Sequence, residues 1–269
     1  MAGATVAAQA RDAWRATYRR EGYLVVRGLL DAAEVEELRG TFMGLQAGPP
    51  IPGCYAPVPE AERGGDILKA YPRMMQPHRV NATARRYLLH PRLFDAVEGC
   101  LGESALAAQS MFYFKPPGAR GQALHQDDYY LKTRPGKCIA AWVAVDPSDE
   151  ENGGLQVVPG TQDAAVLCPH LADPAASFTK DEVDVPAGLH PLPLALEPGD
   201  VLLFNGTLVH GSFPNTSGRR FRRAFIAHYV PARSSEIARW YNPLLTQAGS
   251  EVFLPANEWG GPCGDEQDI

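Results

Sequence analysis

The chain has 269 residues, of which 45% are hydrophobic and 21% are charged, an ordinary composition for a globular protein with a sizeable core. Its formal net charge of -6 and its pI of about 5.7 argue against a nucleic-acid-binding protein, which would carry a basic face. No apolar run reaches the ~18 residues of a membrane span, and the N-terminal stretch lacks a basic leader followed by an apolar block. The acidic balance is compatible with a neutral or cationic small molecule as the ligand.

Cysteine usage gives an expectation about the compartment. The five cysteines are odd in number, and no two of them form a Cys-x-x-Cys pair. This pattern argues against a disulfide framework and against a structural zinc site. We therefore expect a cytoplasmic protein, without nucleic acid or membrane as a partner, that is a monomer or a homodimer.

The first hundred residues are predicted to carry most of the helix. A helix is expected over 8–20 and a strand over 23–30. Asp31 is then typical of a helix N-cap, because Glu34 follows three residues later in a capping-box pattern. A second helix should start there.

The next segment alternates between irregular and helical character. Residues 47–80 are rich in Pro and Gly and are predicted to be irregular, and loops of that length often cover a site. Residues 81–102 are predicted to form one or two helices, with a break at His90 and Pro91.

From about residue 107 the pattern changes to short apolar runs punctuated by Gly and Pro, which is typical of strands joined by turns. Strands are expected over 110–115, 138–145, 154–160, 196–204 and 222–230. The run at 138–145 is apolar on both faces and should be covered on both sides. Helices followed by a series of short strands indicate an α+β protein built around an antiparallel sandwich or barrel.

We find no internal repeat and no linker, so the sequence predicts one domain over residues 1–269. It divides into a helix-rich part over 1–106, a strand-rich core over about 107–235 and a tail over 236–269. The last six or so residues are expected to be mobile.

The stretch "ALHQDDYYL" brings a histidine and two carboxylates together after a Pro-Pro-Gly turn. If it is a strand, His125 and Asp127 point to the same face, because alternate residues of a strand do so. The best third ligand is His210, which follows a strand that begins after a Pro-Gly-Asp turn. Two histidines and one carboxylate form the facial triad of non-haem Fe(II) oxygenases, which leaves the other coordination positions open.

A second feature is the arginine-rich stretch "GRRFRRAFIAHYV". Strand alternation puts Arg222 and His228 on one face and Arg223 on the other, so one arginine must point inward. An inward arginine requires an anionic partner, and a guanidinium pairs with a carboxylate in bidentate geometry. The strand face favours Arg222 as the anchor of a carboxylate cosubstrate, and Arg223 stays as the alternative.

The segments "HQDDYY", "AAWVAVDPSDEENGGLQVVPGTQ", "EPGDVLLFNGTLVHGSFPNTS" and "RRAFIAHYV" resemble the phytanoyl-CoA dioxygenase family of Fe(II)- and 2-oxoglutarate-dependent oxygenases. The resemblance runs from about residue 20 to residue 235. It implies a double-stranded β-helix, or jelly-roll, core with flanking helices, and it implies Fe(II), 2-oxoglutarate and O2 as cofactor and cosubstrates.

The resemblance also implies roles for single residues. His125, Asp127 and His210 match the iron ligands, and Arg222 matches the arginine that pairs with the distal carboxylate of 2-oxoglutarate. Ser212 matches a hydroxyl that binds the same carboxylate. Two further positions match the wall of the cosubstrate pocket: Trp142 and Met111.

The reaction implied is oxidative decarboxylation of 2-oxoglutarate to succinate and CO2, coupled to hydroxylation of an unactivated carbon. Asp127 favours hydroxylation, since related halogenases have a small residue at this position. Desaturation, epimerisation and ring closure use the same oxidant and stay open as alternatives.

Candidate substrate contacts are Gln109, Asp128, Tyr129 and His78. An acidic and aromatic rim made by such residues favours a small polar metabolite, such as an amino acid derivative, an aminoglycoside or another natural-product intermediate, over a coenzyme A thioester. Two other classes are kept: a metal-free jelly-roll binding module, and a cupin-type isomerase or hydrolase that would not need Arg222.

Overall fold

The computed structural model describes residues 2–258, with side chains from residue 10 onward. The predicted mobility of the last six residues concerns a part of the chain outside this range. Within it the α-helices are α1 (Ala2–Glu21), α2 (Ala32–Ala47), α3 (Ala82–Leu88), α4 (Pro91–Leu101) and α5 (Asp128–Leu131). Short 3-10 helices cover Glu60–Glu62, Ile67–Lys69, Pro77–Arg79 and Arg239–Tyr241.

Helices α2 and α4 begin at the residues that the sequence predicted. The Asp31 side chain accepts from the Glu34 N–H and the Glu34 side chain accepts from the Asp31 N–H, which is a complete capping box at the start of α2. The break between α3 and α4 falls at His90, because Pro91 lacks an N–H and suits the first turn of a new helix.

The strands are β1 (Tyr23–Val26), β2 (Met74–Met75), β3 (Ala105–Tyr113), β4 (Gln122–His125), β5 (Ile139–Ala144), β6 (Leu155–Val157), β7 (His170–Leu171), β8 (Asp181–Glu182), β9 (Leu192–Pro193), β10 (Val201–Asn205), β11 (His210–Ser212), β12 (Ala224–Pro231), β13 (Leu244–Leu245) and β14 (Glu251–Val252). The first strand is shorter than predicted, since the chain turns at Gly28 with a φ of 58°.

Two antiparallel sheets build the core. The larger sheet has eight strands in the order β1-β10-β5-β12-β3-β13-β14, with β2 also paired to β3. The smaller has four strands in the order β4-β11-β6-β9, and β7 and β8 form a separate pair. One apolar cluster contains residues of both sheets, such as Trp142 of the larger and Val157 of the smaller, so the sheets face each other. This is the predicted jelly roll within an α+β fold.

Strand β5 is buried on both faces, as its sequence predicts. Ile139, Ala141 and Val143 join the cluster formed with the N-terminal helices, whereas Ala140 and Trp142 join the cluster between the sheets. The larger sheet is therefore covered by helices on one side and by the smaller sheet on the other.

Other sequence expectations can be placed as well. No helix within residues 2–258 is long and apolar enough to cross a membrane. Cys54, Cys100 and Cys138 are buried free thiols, whereas Cys168 is disulfide-bonded.

Candidate metal and cosubstrate site

The three predicted metal ligands meet between the sheets. His125 ends β4 and His210 begins β11, and the register of these two strands places them opposite each other. Asp127 follows His125 by two residues. The candidate ligand atoms of all three lie within 4.8 Å of one another, and all three side chains are buried.

The reason given for pairing His125 with Asp127 was wrong, although the two side chains do converge. Asp127 is not on a strand: its backbone is right-handed helical, with φ -66° and ψ -33°, and it precedes the first residue of α5. The chain leaves the strand after His125 and coils, and this turn brings the carboxylate back toward the imidazole.

Hydrogen bonds to the backbone determine which imidazole nitrogens are free. His125 Nδ1 lies 2.9 Å from the Ala123 carbonyl oxygen and His210 Nδ1 lies 3.0 Å from that of Leu208. A carbonyl only accepts, so each Nδ1 carries the hydrogen and each Nε2 presents a lone pair. The lone pair of His125 accepts from the Gln122 side-chain amide at 3.1 Å.

The two Nε2 atoms each lie 3.7 Å from a different oxygen of Asp127. Three acceptors thus converge in a buried space, and a cation between them relieves their mutual repulsion. Burial lowers the pKa of His125 to about 3, which keeps its ring neutral and able to bind a metal. The donor set of two imidazoles and one carboxylate fits Fe(II).

Asp127 has a further partner that the sequence did not assign. His228 on β12 lies with Nε2 3.0 Å from Asp127 Oδ2, and its other ring nitrogen is buried without a partner. Burial by itself would raise the pKa of Asp127, but His228 holds it well below its usual range. Strand alternation placed His228 on the face of Arg222, but it did not predict this contact with Asp127.

Arg222 and Arg223, the two candidate anchors of the cosubstrate, point in different directions. Arg222 is 2% exposed, lies 5.2 Å over the Trp142 ring, and donates through Nε to the Gly153 carbonyl at 2.9 Å. No carboxylate within residues 10–258 pairs with it. Arg223 instead points outward, where it forms a bidentate pair with Asp146 at 2.7 and 2.9 Å. Of these two arginines, Arg222 is the one whose side chain lines the cavity.

The cavity that contains these groups has a volume of about 340 Å³. Ser212, Trp142, Met111 and Gln109 all line it, as the sequence predicted. A volume near 300 Å³ is at the small end of ligand pockets in proteins.

The other three predicted substrate contacts do not line this cavity. The Asp128 carboxylate turns inward and accepts from the Cys138 N–H at 3.0 Å, and burial raises its pKa to about 6. Tyr129 lies outside the lining residues, and His78 is buried next to Ser110, to which its Nδ1 is hydrogen-bonded at 2.8 Å. Asp128 and Tyr129 do not line the cavity because the helical turn of α5 rotates their side chains away from the metal ligands.

Sequence reasoning also missed lining residues on other elements: Arg73, Lys180, Asp181 and Tyr241. The signal for Arg73 was its place in the irregular 47–80 segment, which was predicted to cover a site.

The family model of phytanoyl-CoA dioxygenase (PhyH) matches residues 18–224 of the chain. The peroxisomal phytanoyl-CoA dioxygenase of Rattus norvegicus is 28% identical over 233 residues, which cover 80% of this chain and 67% of that protein. A 2-aminoethylphosphonate dioxygenase from an uncultured bacterium (HF130_AEPn_1) is 28% identical over 214 residues, covering 78% of each.

Solved structures show the same fold. The epimerase SnoN, in complex with Fe3+, α-ketoglutarate and nogalamycin RO, aligns with a TM-score of 0.66 at 22% identity, over 84% of this chain and 86% of that one. The carbocyclase SnoK from nogalamycin biosynthesis aligns with a TM-score of 0.65 at 19% identity, over 83% and 85% of the two chains.

A jelly roll that holds two histidines and a carboxylate beside a buried, unpaired arginine defines a 2-oxoglutarate-dependent non-haem iron oxygenase. Because the family model covers most of its length, the chain belongs to the phytanoyl-CoA dioxygenase family.

Proposed function

We propose that the protein hydroxylates an unactivated carbon of a small polar metabolite. The balanced reaction is R–H + O2 + 2-oxoglutarate → R–OH + succinate + CO2. One observation carries the proposal: the three candidate metal ligands and the buried, anion-free Arg222 line the same cavity. We further propose that the whole chain is one catalytic unit, as a monomer or homodimer.

In this proposal His125, Asp127 and His210 hold Fe(II). Bound there, iron supplies the activation of O2 and the decarboxylation chemistry. The protein contributes lone pairs fixed by the backbone bonds of the two histidines, and a carboxylate that offsets part of the metal charge.

Arg222 and Ser212 are proposed to bind the distal carboxylate of 2-oxoglutarate. A charge that is 2% exposed needs an anion, and a carboxylate meets the planar guanidinium in bidentate fashion. Trp142 stacks on the guanidinium and Met111 lines the same cavity, which limits the space to a small dicarboxylate.

The carboxylate of Asp127 favours hydroxylation over halogenation, because it occupies the position that a halide would need. The similarity in fold to an epimerase and a carbocyclase supports epimerisation, ring closure or desaturation as the second candidate. Which outcome follows depends on how the substrate carbon lies relative to the metal.

The cavity mouth supports a more specific proposal for the substrate, namely that it carries an anionic group. Arg73 donates to the Tyr113 hydroxyl at 3.1 Å and lies 6.0 Å over the rings of Tyr113 and Phe178, and no carboxylate within residues 10–258 pairs with it. Lys180 adds a second cation, so the two positive charges outnumber that of the lining carboxylate Asp181, which accepts from Tyr130 at 2.8 Å.

This mouth replaces the acidic rim expected from the sequence, since Asp128 faces the interior. The family relative that acts on 2-aminoethylphosphonate is consistent with an anionic substrate. We propose a small free acid rather than a coenzyme A thioester, because the cavity of about 340 Å³ also has to hold the cosubstrate. A substrate screen that finds turnover only with acyl-CoA thioesters would contradict this.

The compartment stays a proposal as well. Three free buried thiols favour the cytoplasm, whereas the disulfide at Cys168 counts against it.

The test is an anaerobic titration of the purified apoprotein with Fe(II) and then with 2-oxoglutarate, monitoring the visible metal-to-ligand charge-transfer band. We expect the band in the wild type, its loss in His210→Ala, and loss of both iron and hydroxylation in Asp127→Ala. Iron bound without a band would support the cupin-type isomerase or hydrolase, and no iron binding would support the binding module.

A further inference from the structure

Lys115 is a second buried cation next to the proposed cosubstrate site, and neither the motifs nor the proposed roles above involve it. It is 3% exposed, and its Nζ lies 2.8 Å from Ser212 Oγ. Its backbone has a φ of 38°, in the left-handed region that few residues other than glycine adopt. A strained and buried lysine persists only where the surrounding contacts hold it in place.

Several of those contacts come from the arginine side of the site. The Lys115 carbonyl accepts from the Arg222 N–H at 3.1 Å and from the Asn215 side-chain amide at 3.0 Å. Gly153 accepts from Arg222 Nε through its carbonyl, and a Cβ at this glycine would lie 2.5 Å from Lys115 Cε. Gly153 thus leaves space for the lysine side chain and accepts a hydrogen bond from the guanidinium.

The hydrogen bonds of Ser212 determine where its own hydrogen points. Its Oγ accepts from Lys115 Nζ at 2.8 Å and from the Gln122 N–H at 3.3 Å. A hydroxyl has two lone pairs and one hydrogen, so both acceptor positions are filled and the hydrogen must be donated elsewhere. Ser212 lines the cavity, and that side is the remaining direction.

The positive charges of Lys115 and Arg222 also indicate that an anionic ligand binds on this side of the cavity. Burial, and after it the nearby Arg222, lowers the pKa of Lys115 well below its usual range, and burial lowers the pKa of Arg222 to about 10. No carboxylate within residues 10–258 pairs with either side chain. Both shifts disfavour the charged forms, so a negatively charged ligand that enters between Arg222 and Ser212 would stabilise the positive charge on both side chains.

We propose that Lys115 is a positioning residue for the cosubstrate: it holds the Ser212 hydroxyl as a donor to the distal carboxylate and adds a second positive charge behind it. The inference rests on the proposed function, since it takes 2-oxoglutarate as the ligand. The inference goes beyond the proposed function, because it assigns part of the affinity for 2-oxoglutarate to a residue that does not contact 2-oxoglutarate.

The test is a double-mutant cycle on the Fe(II)-loaded protein, with the dissociation constant of 2-oxoglutarate read from the charge-transfer band. Lys115→Met should weaken 2-oxoglutarate binding by about 10- to 100-fold, the effect of a hydrogen bond to a charged group. Ser212→Ala should weaken 2-oxoglutarate binding as well. In the double variant the loss of binding free energy should be clearly smaller than the sum of the two single losses, because the two residues act through one hydrogen bond. Iron affinity, measured separately, should not change.

Lys115→Gln separates the hydrogen bond to Ser212 from the positive charge of the lysine. It also provides a second test if Lys115→Met does not fold. Glutamine keeps an N–H donor for Ser212 but removes the charge, so its dissociation constant should lie between those of the wild type and Lys115→Met. Lys137→Met is the matched control, because Lys137 bonds the Gln162 carbonyl, away from the cavity lining.

Three outcomes would overturn the inference: an unchanged dissociation constant in both Lys115 variants, additive effects of Lys115→Met and Ser212→Ala, or an equal loss of iron affinity. A wild-type protein that binds iron but gives no band contradicts the proposed function instead, so the two failures are distinguishable.

Discussion

His228 donates its Nε2 hydrogen to Asp127 Oδ2 at 3.0 Å, from a strand that lies 101 residues further along the chain. The carboxylate can only accept, so this bond orients Asp127 and leaves its other oxygen for the metal. Outer partners of this kind fix the direction and basicity of a metal ligand.

Replacing His228 by leucine should therefore weaken Fe(II) binding by about 10- to 100-fold, the usual effect of losing a residue that supports a metal ligand. Isothermal titration of the apoprotein with Fe(II) under anaerobic conditions measures this. Tyr229→Phe is the matched control on the same strand, because the Tyr229 hydroxyl donates to the Leu88 carbonyl on the helix side. It should lower stability and keep iron affinity. Equal iron affinities for His228→Leu and the wild type would show that the bond does not support the site.

Arg222→Ala should abolish the charge-transfer band at ordinary 2-oxoglutarate concentrations while iron still binds. Losing one partner of a buried charge pair corresponds to a loss of roughly 100-fold or more in affinity. Arg223→Ala provides the control, since that guanidinium pairs with Asp146 outside the cavity. It should destabilise the fold but leave the dissociation constant of 2-oxoglutarate unchanged. If instead Arg223→Ala loses the band and Arg222→Ala keeps it, the alternative anchor is correct.

Arg73→Gln should remove a preference for anionic ligands at the cavity mouth. The probes are hexanoate, hexylphosphonate, neutral hexanamide and hexanoyl-CoA, each added to the anaerobic Fe(II)–2-oxoglutarate complex. Their binding is followed through the change that each probe causes in the charge-transfer band. Hexanoate or hexylphosphonate should bind the wild type roughly 5-fold more tightly than hexanamide, as expected for a single partly exposed charge.

The control for this change is Arg79→Gln, because Arg79 donates to the carbonyls of Trp240 and Asn242 rather than into the cavity. It should keep the anion preference. A wild type without preference for the acids, including one that binds none of the four probes, would refute the anionic-substrate proposal. Tight binding of hexanoyl-CoA alone would move the assignment to a thioester.

The buried His78 should make the apoprotein sensitive to mild acid. Burial lowers its pKa in the folded chain to about 3, below the ordinary value of ~6.5. Between these values the unfolded chain binds a proton that the folded chain does not. The free energy of unfolding is then highest above pH ~6.5 and falls as the pH drops toward 3, by up to ~1.4 kcal/mol per pH unit.

Urea denaturation at pH 7, 6 and 5 measures this slope. His78→Gln should flatten it, since glutamine does not titrate, whereas His190→Gln at an exposed position should not. Identical slopes for the wild type and His78→Gln would mean that other groups cause the acid sensitivity.

Much of the fold could be predicted because its signals are local. The capping box at Asp31, the Pro91 helix start and the two-sided apolar run of β5 each depend on residues within a few positions of one another. The candidate ligands were also readable, since His125, Asp127 and His210 lie in short motifs whose residue types belong to one kind of metal chemistry.

Strand alternation had a more mixed result. It correctly directed Arg222 toward the cavity and Arg223 away from it, and these two residues directly precede β12, which starts at Ala224. It gave the wrong geometry for Asp127, which lies in a helical turn, and the same turn buried Asp128 against Cys138. A two-residue periodicity is informative only while the backbone stays extended.

The sequence by itself thus determined the jelly-roll class and the residue types of the site. Only the tertiary structure decided which further side chains reach it. Lys115 meets Ser212 across 97 residues, and His228 meets Asp127 across 101. Such pairs are brought together by strand order and sheet packing, and the chemistry of a buried charge or lone pair depends on the partners that this packing supplies rather than on its neighbours in the chain.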